Sequence, residues 1–100
     1  MNKFGETIRN QREANGLLLR QLAAKLDIDT AMLSKIERGE RNAKRTHILM
    51  FAEILNLNKG ELLTLWLADK VYEIVKNDEV GCQALKVAEK EFEYKKTKNR

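Results

Sequence analysis

Two glycines, Gly16 and Gly39, constrain this chain most, because each falls where an apolar repeat of helical spacing stops. Glycine tolerates the left-handed backbone that ends a helix, so both positions read as terminators. Between them lie two short helical patterns. Leu19, Leu22, Ala23 and Leu26 share one face over about 19–25, and Leu33 and Ile36 face inward over about 30–38. The segment Asp27-Ile28-Asp29 turns the chain between them, with Asp29 placed as an N-cap. Ala23, small and at the start of the bend, lets the two helices approach closely.

The same reasoning extends outward. Phe4, Ile8 and Arg12 form one stripe of a first helix over about 4–14, and an arginine on that inward face requires a partner. After Gly39 comes a polar loop, residues 40–45, then a fourth helix carrying Ile48, Phe51, Ala52 and Leu55. Asn58 and Glu61 have capping-box spacing and Leu57 and Leu62 that of a hydrophobic staple, which predicts a fifth helix to about Leu67. Beyond Ala68, the stripes of Val71, Ile74 and Val75, and of Val80, Ala84, Leu85, Val87, Ala88 and Phe92, predict two further helices broken at Asn77-Asp78. Fourteen Leu and nine Ala outweigh six Ile and four Val, and proline is absent, so the expected class is all-α.

A chain of 100 residues makes one small domain and buries only about 60 to 70% of its unfolded surface, so a partner subunit adds stability and a deep-cleft enzyme is excluded. One cysteine, Cys82, and one histidine, His47, build neither an internal disulfide nor a metal cluster. Cys82 is expected to be a small apolar filler. The start of the chain lacks a signal-peptide run, and the longest apolar runs, 17–19 and 48–52, are too short for a bilayer. A cytoplasmic protein with no membrane association, no metal and no cofactor is expected.

Charge is uneven. Residues 1–60 hold 11 basic and 7 acidic side chains, whereas residues 61–100 hold 8 of each. The excess belongs to the first five helices, and on the third of them Thr30, Ala31, Ser34, Lys35 and Arg38 make a small, polar, net-positive face that invites a ligand.

Four stretches, Ile8 to Leu17, Leu22 to Leu26, Leu33 to Arg41 and Leu49 to Leu57, together resemble the helix-turn-helix DNA-binding domain of the Xre, or phage repressor and Cro, family. The resemblance runs from about Ile8 to Leu65. It implies a five-helix lambda-repressor-like domain followed by one or two carboxy-terminal helices, with double-stranded DNA as the partner. The third helix then enters the major groove, and Thr30, Ala31, Ser34 and Lys35 meet base edges. Arg38, Arg41, Asn42, Lys44 and Arg45 hold phosphates, positioning the protein without specifying sequence. The family's equivalents of Arg12 and Glu37 pair, which implies a partly buried ion pair here, since Glu37 follows inward-facing Ile36.

Two departures from the pattern stand out. Many relatives place a Ser or Thr cap and then Gln at the second helix start, where this chain has Leu18 and Leu19. Leu18 is expected to pack against the carboxy-terminal helices; the alternative is an exposed apolar patch. Ala43 stands where relatives often have proline.

Three segments are expected: a DNA-binding domain over 1–67, a helical extension over 68–95 and a basic disordered tail over 96–100. Trp66, Val71, Ile74, Leu85, Ala88 and Phe92 offer apolar surface for a homodimer, the alternative being that they cap the monomer's own core. Two-fold symmetry sets the recognition helices about 34 to 36 Å apart on a pseudo-palindromic operator. The leading function is a sequence-specific repressor or autoregulator, similar to small restriction-modification controllers or Cro-like regulators. The competing class is an antitoxin or other interaction module whose carboxy-terminal helices bind a protein partner. An enzyme is disfavoured, because no catalytic triad, phosphate-binding glycine loop or metal cluster assembles.

Overall fold

The apolar repeats fold as six helices in a computed structural model that describes residues 1–98. They are α1 Lys3–Ala14, α2 Leu19–Leu26, α3 Thr30–Glu37, α4 Arg45–Leu55, α5 Lys59–Val75 and α6 Gly81–Lys98. There is no strand among the described residues, and the class is all-α. No helix among them is long and apolar enough to cross a membrane. The chain divides into two compact units, Met1–Lys70 and the segment from Val71 onward.

In the first unit, α1 to α5 surround one core. Ile8, Leu22, Leu33, Ile48, Phe51 and Leu55 are completely buried, each contributing about 1.5–3 kcal/mol relative to exposure. Phe51 meets the edge of the Phe4 ring at 5.8 Å between centroids. Ala23 is buried where α2 packs on α3.

The helix ends follow their cap residues. The Asp29 carboxylate accepts from the Met32 N–H at 2.6 Å, and the Asn58 side-chain oxygen accepts from the Glu61 N–H at 2.9 Å. Gly39 closes α3 at φ 77°, against the Asn2 side chain, so both its conformation and its surroundings require glycine.

The start of α1 is held by contacts distant in sequence. Asn2 accepts from the Gly5 N–H at 3.2 Å and donates to the Glu37 carbonyl at 2.8 Å. Gly5 lies so near that carbonyl that a Cβ there would sit 2.5 Å from it, so α1 and the end of α3 meet backbone to backbone. The Asp69 carboxylate of α5 accepts from the Lys3 and Phe4 N–H groups at 3.0 and 2.9 Å. This carboxylate satisfies two first-turn donors and faces the positive end of the helix. Asp69→Ala is therefore expected to destabilise the first unit by about 1–2 kcal/mol, read as a lower urea midpoint at unchanged slope. An unchanged midpoint would show that α1 does not depend on this cap.

Several expectations are corrected. The first of the two further helices is the continuation of α5 through Val75, because Ala68, Asp69 and Lys70 contain no breaker. Trp66, expected on a surface offered to a second copy, is half-buried against the core of its own unit. Its indole N–H donates to the Ala43 carbonyl at 3.0 Å, and the Lys70 ammonium lies 3.8 Å from its ring centroid. Leu18 is half-exposed. Cys82 is exposed and fills no core position.

In the second unit, α5 ends at Val75, and Asp78 accepts from the Val80 N–H at 2.9 Å in the turn before α6. The close approach of Gly81 to the Val75 carbonyl leaves no room for a Cβ. Every residue from Cys82 to Thr97 is exposed. The helix takes in Lys96, Thr97 and Lys98, where disorder was expected; lysines extend a helix readily and suit its negative end. Asn99 and Arg100 of that segment lie outside the described residues.

Candidate nucleic-acid interface

Helix α3 carries a divided face. Leu33, Ile36 and Glu37 are buried, which leaves Thr30, Ala31 and Lys35 exposed on the opposite side. Ser34 is half-buried and its hydroxyl accepts from Arg38 Nη1 at 2.8 Å. Of the four residues assigned to base contact, three are therefore free and one already serves a neighbouring arginine. The hydroxyl keeps its own proton to donate.

The loop after α3 exposes Arg38, Arg41, Asn42, Lys44 and Arg45, while Ala43 is buried. Trp66 ties down this loop through the Ala43 carbonyl, a stiffening that takes the place of the proline found in many relatives. No side chain caps the start of α4, and its first turn lacks an acid. Lys44 and Arg45 stand there at the positive end of the helix dipole, an unfavourable position for cations alone. An anion at that point is attracted both by the two side chains and by the uncapped N–H groups.

Arg12 and Glu37 orient α3 against α1. Arg12 Nε and Nη2 donate to the two Glu37 carboxylate oxygens at 2.8 and 3.1 Å, and Nη1 donates to the Leu17 carbonyl at 2.9 Å. The side chains are only 12% and 5% exposed. The Glu37 hydrogen bond raises the Arg12 pKa above its ordinary value despite burial.

Beside this pair lies a cleft of about 300 Å³ lined by Arg9, Arg12, Leu19, Ser34, Glu37 and Arg38. Arg9 was not singled out in the sequence, where only its spacing from Glu13 hints at a role. Arg9 Nε donates to Glu13 at 3.2 Å, and Arg38 Nε donates to the Glu40 carboxylate. Among the described residues there is no group of three or more potential metal ligands.

The fold and the exposed basic face agree with comparisons to known proteins. The helix-turn-helix family profile matches residues 8–62. Among solved structures, the restriction-modification controller protein C.AhdI from Aeromonas hydrophila is similar, with 36% identity and a TM-score of 0.56. That similarity covers 61% of this chain and 92% of the other. No curated protein matches significantly. The chain belongs to the Xre/Cro-like helix-turn-helix family and is a non-enzymatic, DNA-binding transcriptional regulator.

Proposed function

We propose that the protein reads the major groove as a homodimer on a pseudo-palindromic operator and acts as a repressor or autoregulator of the restriction-modification controller type. One observation carries this reading: the exposed face of α3 is flanked by a loop whose Arg41, Lys44 and Arg45 form no ion pair among the described residues and which ends at an uncapped helix. Lys35 donates to guanine O6 or N7, Thr30 bonds a base or touches a thymine methyl, and Ala31 offers only an apolar contact. Arg38, Arg41, Asn42, Lys44 and Arg45 hold the backbone on either side of that register. Likeness to C.AhdI supports the controller role. The second unit supplies the dimer surface through Val71, Ile74, Leu85, Ala88 and Phe92, all exposed in a single chain.

Selection from a random duplex pool at about 150 mM salt tests this, with Lys35→Ala and Lys44→Ala run in parallel. The parent is expected to enrich a palindrome. Lys35→Ala should change the preferred bases, whereas Lys44→Ala should weaken all duplexes alike and reduce the salt slope by about one unit. The reverse pattern overturns the division of roles.

A second reading is favoured by the exposed apolar side chains of α6, among them Val87 and Phe92 at 68% and 71% exposure. On that reading the protein is an antitoxin or interaction module, and these residues cover a partner protein. Copurification of a second polypeptide, with no palindrome enriched, would favour it.

A further inference from the structure

The two sides of the α3 face differ in how their cations are used. On the cleft side each arginine has its own carboxylate: Arg9 with Glu13, Arg12 with Glu37 and Arg38 with Glu40. On the loop side Lys35, Arg41, Lys44 and Arg45 form no ion pair among the described residues. The Arg12 pair is nearly buried and holds the helices together. The outer two pairs have no such role, for Arg9, Glu13, Arg38 and Glu40 side chains are all more than half exposed.

We propose that Glu13 and Glu40 are specificity-determining residues of the DNA interface, each neutralising an arginine beside the recognition helix and so restraining sequence-independent attraction to the duplex. This rests on α3 and its following loop being the DNA-binding face. Each outer arginine spends its Nε–H on a carboxylate and keeps other guanidinium donors for a phosphate. The carboxylates therefore aim the arginines while repelling the phosphate backbone.

The need follows from the base-reading face. Thr30 and Lys35 offer its free polar groups, Ala31 has none, and the Ser34 hydroxyl already accepts from Arg38. A face with so few strong base contacts gains little discrimination from base-specific affinity. Specificity is a difference of affinities, so lowering the sequence-independent share is the remaining way to widen it.

The test is fluorescence anisotropy of the full chain with a labelled duplex of arbitrary sequence, about 20 base pairs long, over about 50 to 200 mM salt. Glu13→Gln and Glu40→Gln should each tighten binding about threefold at the low-salt end, and the double variant about tenfold. Glu53→Gln makes the same charge change eight residues along α4 from Arg45, about 12 Å away and so close to the screening length of about 14 Å at about 50 mM salt, and should have a clearly smaller effect. A double variant that binds no tighter than Glu53→Gln overturns the proposal. Lys44→Ala separates the two levels. If it weakens binding while the glutamate variants change nothing, the carboxylate role alone fails. If Lys44→Ala binds like the parent, the assigned interface itself fails and the proposal falls with it.

Discussion

Glu37→Ala is expected to lower the unfolding free energy by about 3–5 kcal/mol, against less than about 0.5 kcal/mol for Glu40→Ala. Both substitutions remove a carboxylate that receives an arginine, but only one does so out of water. Truncating Glu37 leaves the Arg12 guanidinium with the Leu17 carbonyl and a distant Glu13 oxygen at 3.9 Å, too few partners for a buried cation. The melting temperature should fall by at least about 12 °C for Glu37→Ala and by no more than about 4 °C for Glu40→Ala. Equal melting temperatures would show that the pair does not hold the fold.

The sign of the pH dependence follows from Arg12. Its pKa is raised in the folded protein, so its contribution is fully present below the ordinary arginine value and is lost only above it. The Arg12 half of the pair thus acts unchanged through neutral pH. Because the pair joins α1 to the end of α3, weakening it also loosens the orientation of Thr30 and Lys35 toward the groove.

Local patterns make α1 to α4 and the start of α5 legible. Apolar residues at helical spacing define the buried faces, Asp29 and Asn58 cap the helices they precede, and Gly39 takes the positive φ expected of it. The length of α5 is not legible, because a weakening apolar stripe resembles a helix end even where Ala68, Asp69 and Lys70 supply no stop signal. The roles of Asn2, Trp66 and Asp69 are hidden in the sequence for a different reason. Their partners lie 35, 23 and 65 or 66 residues away, and no short-range spacing encodes such contacts. The exposed base-reading residues followed from the register of α3, since burial of Leu33 and Ile36 turns Ala31 and Lys35 outward. The occupied hydroxyl of Ser34 did not, because it depends on which rotamer Arg38 adopts beyond the end of the helix.

Leu85→Asp combined with Phe92→Asp is expected to leave the first unit folded, give a monomer at micromolar concentration and lower affinity for a selected palindrome at least about a hundredfold. Leu85, Ala88 and Phe92 are spaced to share one face of α6, and all three are exposed in the single chain. Most of a helix's stability in a protein comes from packing one face, and every residue of α6 from Cys82 to Thr97 is exposed, so a neighbour covering this face supplies stability that the helix alone lacks. Leu85 is 40% and Phe92 71% exposed, so covering them recovers about 1 and about 1–2 kcal/mol respectively, and a two-fold axis does so twice over. A dimer also makes the second half-site contact intramolecular, which is why its loss reduces affinity so far without removing any DNA-contacting residue. Light scattering and binding to the selected duplex check both effects on the same samples. If the parent is itself a monomer and the variant binds DNA equally well, a second copy does not cover α6, and the reading in which this face meets a partner protein takes its place.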